Sequence, residues 1–151
     1  MGDSINIEAL PFEEALAAYQ QAYQKLFAIL SDYPEGLQTE SGVCGTWSPQ
    51  QVVMHLSGWL IEAQRRFKRY PATGDIQYNV DVFNDVSLWD REKQTWERSV
   101  EELQREHQKL LEIAQGLNDY QIERDGRYAE WLTMMTQEAQ THGTALAAFS
   151  S

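Results

Sequence analysis

The chain has 151 residues, one domain's length, and its 42% hydrophobic and 23% charged residues are the balance of a globular protein able to bury a core. Twelve Lys and Arg stand against 23 Asp and Glu, a net charge of −11 that repels a phosphate backbone and an anionic membrane, so neither nucleic acid nor membrane is expected as a partner. "MGDSINIEAL" lacks the basic flank and apolar run of an export signal, and no apolar stretch approaches the roughly 20 residues of a membrane-spanning helix, so the expectation is a cytoplasmic protein with a single domain over 1–151.

The first element is a helix over "PFEEALAAYQQAYQKLFAIL". Pro11 suits its first turn, and Phe12, Leu16, Tyr19, Tyr23, Leu26, Phe27 and Leu30 recur at helical spacing. It ends before Pro34, and "PEGLQTESGVCGT", with three glycines and no periodicity, is a loop. Cys44 in that loop is the only cysteine, which excludes an intrachain disulfide and a Cys-rich zinc site; it reads as a small loop or packing residue.

The second helix has a well-signalled start: Ser48 as N-cap, Pro49 at the first helical position and Gln51 completing a capping box. Val52, Leu56, Trp59, Leu60, Ala63 and Phe67 form its stripe, while Glu62, Arg65 and Arg66 fall away from it. Arg65, Arg66, Lys68 and Arg69 crowd its last turns, where they oppose the negative end of the helix dipole.

After the loop "PATGDIQYN", a third, very long helical stretch is predicted from around Asp81 to Leu117. Trp89, Trp96, Val100, Leu103, Leu110, Ala114 and Leu117 lie on one side, and Gly116 marks its C-terminal region. A polar connection, "NDYQIERDGRYAE", leads to the last helix, "WLTMMTQEAQTHGTALAAF". Four helices of this length, joined by loops of about 10 residues or more, make an all-α four-helix bundle with crossover connections.

Two polar residues interrupt the last helix's apolar stripe. At about 100° per residue, Trp131, Met135, Glu138, His142, Ala145 and Phe149 share one arc. A carboxylate on a core-facing arc is costly unless paired, protonated or bound to a metal. Side chains four apart on a helix are neighbours, so Glu138 and His142 can close on the same ion. His55, one turn before Trp59, can face them from the second helix. Two nitrogens and one oxygen with a position left open is the ligand count of a catalytic zinc-type site. An internal salt link among the same three residues satisfies the pattern equally. His107, between Leu103 and Leu110, reads as a fourth ligand, a supporting residue behind the ligands, or a tolerated histidine on a half-buried face, the last being preferred.

"GTWSPQQVVMHLSGW" resembles the start of the second helix of the DinB-like superfamily. "VDVFNDVSLWDREKQTWERSVEELQREHQKLLEIAQGLND" is similar to that superfamily's third helix, and "EAQTHGTAL" to its metal-bearing fourth. The resemblance covers nearly the whole chain. It implies a four-helix bundle of up-down-down-up connectivity with a divalent metal, often zinc or nickel, held near one end by three side chains. His55 matches the ligand on the second helix and His142 the last ligand on the fourth. Glu138 stands where the commoner pattern has a histidine, an order similar to the His-Glu-His triad of the mycothiol-dependent maleylpyruvate isomerases. Those isomerases have a second domain that this chain lacks, so their substrate does not carry over. The ClbS and DfsB genotoxin-protection proteins have a similar "GT" before the second helix and a similar long third helix, but the metal histidines count against that branch.

The expectation is therefore an enzyme: a metal-dependent thiol transferase, isomerase or hydrolase acting on a small electrophile, with a low-molecular-weight thiol as a second reactant and a homodimer by family likeness. Asn84 and Tyr78, near the entry to the third helix, are candidates for the pocket wall, with surface or capping roles preferred. The alternatives are a non-catalytic, stress-related binding bundle and a ClbS/DfsB-like protection protein.

Overall fold

The computed structural model describes residues 3–4, 9–70, 72 and 77–151. Among the described residues the fold is all-helical apart from one pair of two-residue strands. In chain order the elements are β1 (Asp3–Ser4), α1 (Phe12–Leu30), a 3₁₀ turn at Glu35–Leu37, α2 (Pro49–Phe67), β2 (Gln77–Tyr78), α3 (Val80–Asp90), α4 (Trp96–Gln115), α5 (Asp119–Arg124) and α6 (Arg127–Phe149). β1 and β2 pair antiparallel, Asp3 against Tyr78 and Ser4 against Gln77.

The four long helices pack in a closed ring: α1 on α6, α6 on α2, α2 on α4 and α4 on α1. Their facing sides hold one core, in which Tyr19, Tyr23, Leu26, Leu56, Leu60, Phe67, Leu103, Leu110, Tyr128, Trp131, Leu132 and Met135 are fully buried. Among the described residues no helix is long and apolar enough to cross a membrane.

The start of α2 follows its sequence signal. The Ser48 side chain accepts from the backbone N–H of Gln51, and the Gln51 side chain accepts from the backbone N–H of Ser48. Its burial does not follow the one-sided stripe. Every residue from Val52 to Leu60 is buried, because α3, α4 and α6 all pack against α2. Glu62, expected off the stripe, is buried too, and its carboxylate accepts from Arg65 Nη1 at 2.6 Å and Arg66 Nε at 3.3 Å. Two further polar side chains are buried at the α2–α4 contact, where Gln64 Nε2 donates to Glu106 Oε1 at 3.0 Å.

The single long third helix is corrected to two, α3 and α4, separated by a turn at 91–95. Thr95 starts α4 by accepting from the backbone N–H of Arg98. The break is held on both sides: Arg91 donates to Ser87 O at 3.0 Å and to Glu102 Oε1 at 2.8 Å, and Gln50 Nε2 donates to Gln94 O at 2.6 Å. Reading the two stripes as one sets Trp89 inward, whereas it is 69% exposed. The polar connection after α4 contains α5, opened by a second capping box between Asn118 and Gln121. α6 begins at Arg127, four residues before Trp131, with Asp125 accepting from the backbone N–H of Arg127 at 3.0 Å.

Small residues seat α3 on α2. A Cβ added at Gly58 would collide with Ser87, whose own Cβ would lie 2.9 Å away. Ser87 is buried, and its hydroxyl donates to Phe83 O at 2.9 Å. This close approach brings Asn84, one turn before Leu88, against the face of α2 that carries His55 and Trp59.

Candidate metal centre

His55 lies two turns beyond the Ser48 cap, and Glu138 and His142 lie one turn apart on α6, which packs against α2. His55 Nε2 is 3.0 Å from Glu138 Oε1, and His142 Nε2 is 3.9 Å from the same oxygen. The two imidazoles meet edge to face with centroids 5.0 Å apart. One ligand atom from each of the three residues lies within 4.8 Å of the others. Ligand atoms around a tetrahedral ion with bonds near 2.1 Å stand about 3.4 Å apart, so small side-chain rotations suffice to enclose one.

The hydrogen bonds behind His55 decide which of its nitrogens is free. Trp59 Nε1 can only donate, and it points at Asn84 Oδ1 at 2.8 Å, so the Asn84 atom there is the oxygen. The same oxygen is 3.0 Å from His55 Nδ1, which must therefore carry its proton and donate. That leaves Nε2 as the ring nitrogen facing the Glu138 carboxylate, at 3.0 Å. Two acceptors at that separation repel unless a proton or a cation lies between them. The donor set, two imidazole nitrogens and one carboxylate with the first imidazole oriented by a side-chain carbonyl, fits a divalent ion.

Trp47 also packs against His55, with ring centroids 4.9 Å apart. The turn that carries it is tight: Trp47 N donates to Cys44 O at 2.9 Å, and Gly45 at φ 57° takes the left-handed conformation that a side chain would strain. His55 and His142 are 4% and 7% exposed, whereas the Glu138 side chain is 34% exposed, so the site opens to solvent on the Glu138 side.

Burial alone would raise the Glu138 carboxyl, but the hydrogen bond and charge of His55, joined by the charge of His142, outweigh it and hold the group below its ordinary value. Burial, and then the charge of His55, lower His142 against the opposing pull of Glu138. Both shifts favour the deprotonated forms that bind a metal.

The structure thus brings together His55, Glu138, His142 and Asn84. His107 lies elsewhere, in an aromatic enclosure supplied by α1: stacked on Tyr23 at 4.8 Å and 16°, 5.0 Å from Tyr19, and edge-on to Phe27 at 5.5 Å. Its Nδ1 meets the Tyr19 hydroxyl at 2.9 Å, and burial pushes its imidazole down to about 4. Tyr78 contributes backbone to β2, and its side chain lies outside the described residues. A cavity of about 580 Å³ lined by Thr39, Thr46, Gln51, Met54, Leu88 and Gln94 is bordered by none of the triad. Trp47 and Trp59 had no site role in the sequence reading. Trp59 carried a signal, since i,i+4 spacing sets it beside His55 on one face of α2; Trp47, reaching His55 through a loop, carried none.

A family model described as the DinB superfamily matches residues 10–146. The chain belongs to the DinB superfamily. The helical content agrees with that membership, and the His55, Glu138 and His142 cluster could hold a divalent metal, as DinB-like proteins often do. Comparison of this DinB-superfamily chain with curated proteins finds no match, and comparison with solved structures finds none either.

Proposed function

We propose that this DinB-superfamily chain is a divalent-metal-dependent enzyme acting on a small electrophile, with His55, Glu138 and His142 as the ligands. The observation that carries the reading is the convergence of one ligand atom each from His55, Glu138 and His142 within 4.8 Å, with His55 Nε2 turned toward a Glu138 oxygen at 3.0 Å by the Asn84 carbonyl behind the ring. Zinc and nickel suit two imidazoles and a carboxylate. A divalent ion held there lowers the pKa of a bound water or thiol and so supplies a nucleophile near neutral pH.

The chain's own groups perform the rest. Asn84 holds His55 in one tautomer, Trp47 and Trp59 wall that imidazole from water, and the half-exposed edge of Glu138 marks the side from which substrate enters. The helix ring is read as a four-helix bundle of up-down-down-up connectivity, a single domain over the chain. The likeness of the His-Glu-His order to the mycothiol-dependent isomerases supports a low-molecular-weight thiol as the second reactant, and family likeness alone supports a homodimer.

Elemental analysis of untagged protein, alongside Glu138→Ala and His142→Ala, tests the assignment. Near-stoichiometric divalent metal in the wild type, lost in both variants, is expected. Wild-type protein that takes up no metal on reconstitution reduces the cluster to an internal ion pair, and full retention in both variants means the ligands are others.

A further inference from the structure

α3 is apolar on both sides. Its inner side meets α2, where Phe83 packs on Trp59 with ring centroids 4.2 Å apart, Ser87 lies over Gly58, and Asn84 bonds His55 and Trp59. Its outer side carries Val82, Val86 and Trp89, spaced four and three residues apart and so aligned in one stripe at about 100° per residue. They are 54%, 48% and 69% exposed, Trp89 being the most exposed large hydrophobic residue among those described. Single exposed apolar residues are ordinary, whereas three in register on an 11-residue helix form a patch of the kind that binds a partner.

The charges beside the stripe decide between its occupants. Asp81 and Asp85, exposed and one turn apart, run along one edge of it and form no ion pair among the described residues. Arg91, at the end of α3, is held by Glu102 and by Ser87 O and does not offset them. Asp90 shares a groove with Lys93 and Arg98, so the uncompensated acid lies at Asp81 and Asp85. A second copy related by a two-fold axis would lay α3 against α3. Antiparallel, the two-fold keeps each edge on its own side and sets Asp81 and Asp85 of one copy beside those of the other; parallel, it sets the positive ends of two helix dipoles side by side. An anionic membrane is repelled by the net charge of −11. A basic segment meets none of these penalties, since a helix with an apolar stripe and Lys or Arg along one edge covers the stripe and pairs both carboxylates.

We propose that the outer face of α3 is a docking surface for a basic amphipathic helix of a partner protein, anchored on Val82, Val86 and Trp89 and oriented by Asp81 and Asp85. Trp89 supplies most of the contact area, and the two carboxylates set the direction and edge of approach. The docking surface is independent of the metal-site reading.

The test is fluorescence anisotropy with the full chain and a labelled peptide of about 18 residues, long enough to form a helix, with Leu along one face and Lys elsewhere; a Leu and Glu peptide of the same pattern is its counterpart. At about 0.15 M salt, saturable binding of the Leu–Lys peptide and none of the Leu–Glu peptide is expected. Trp89→Ala should weaken binding about tenfold or more, the scale of a buried aromatic anchor. Asp81→Asn combined with Asp85→Asn should weaken it about two- to fivefold, mainly through slower association, and flatten its salt dependence. These side chains are exposed, so each variant should melt within about 2 °C of wild type. No saturable binding of the Leu–Lys peptide, or binding that Trp89→Ala leaves unchanged, overturns the proposal. Equal affinity for the two peptides overturns it as well, since charge then has no part in the recognition. In sedimentation of the chain alone, wild type and Trp89→Ala should behave alike; a wild-type dimer that Trp89→Ala makes monomeric would give the face to a second copy and overturn the proposal.

Discussion

Asn84 fixes which nitrogen of a buried histidine faces the Glu138 carboxylate. Its carbonyl oxygen receives both Trp59 Nε1–H and His55 Nδ1–H, so the ring can neither flip nor change tautomer without breaking a bond. Residues that hold a ligating imidazole in this way typically contribute 10- to 100-fold in metal affinity. Asn84→Ala should therefore weaken metal binding by about that factor in a chelator competition, with loss of about 1–3 kcal/mol of stability from the groups left behind. Unchanged affinity would mean that the Asn84 contact does not orient the ligand.

His107 titrates in a different environment and affects stability rather than binding. Its folded-state value is depressed from 6.5 to about 4 by burial, so folding favours the neutral ring. The sign follows: the contribution is fully present above the unfolded value and is lost as pH falls from about 6.5 towards 4, by roughly 3 kcal/mol in all. Urea unfolding at pH 7 and pH 4.5 should show a drop that His107→Phe reduces, since the pH dependence of Glu138 and His142 remains in both proteins. An equal drop in both would locate the acid sensitivity elsewhere.

At the level of elements, the site depends on how closely α3 lies on α2. Gly58 is the contact point, because any Cβ there runs into Ser87. Gly58→Ala gains about 1 kcal/mol in helix propensity but must displace α3 from α2 and pull Asn84 off His55. Net destabilisation of about 1–3 kcal/mol and weaker metal binding are expected, with Ser87→Gly in the same chain restoring most of both. Additive losses in the double variant would show that the two residues do not share this contact.

What the sequence could disclose at this scale depended on whether a signal was local. The α2 cap and the Glu138–His142 pair are statements about one helix, and Ser48, Gln51 and i,i+4 spacing express them directly. The break between α3 and α4 was also local, in Thr95 and its bond to Arg98 N, but the seven-residue spacing of Trp89 and Trp96 continued one stripe across it. All-round burial of α2 had no local signature, since it comes from three helices arriving on three sides. Asn84 was within reach as a candidate, whereas its hold on His55 required knowing that α3 folds back as a separate helix.

For the whole molecule, four long helices close a ring around an aromatic-rich core, and the triad ties α2 to α6 across it. The helical class was legible because apolar residues recur at three and four throughout, with no run of strict alternation. The number of helices was not, since α5 has only six residues and its Asn118 and Gln121 capping box sits in a polar stretch that reads as loop. Among the described residues His55, Glu138 and His142 form one cluster that could hold a metal ion, separate from the buried Gln64–Glu106 and Tyr19–His107 pairs.

X-ray absorption spectroscopy of the metal-reconstituted protein tests the central claim most directly. The account predicts two imidazole nitrogens at about 2.0–2.1 Å and at least one carboxylate oxygen at about 2.0–2.2 Å, with no sulfur scatterer. One imidazole would be lost in each of His55→Ala and His142→Ala. A first shell without imidazole scattering, or one unchanged in either variant, would contradict it.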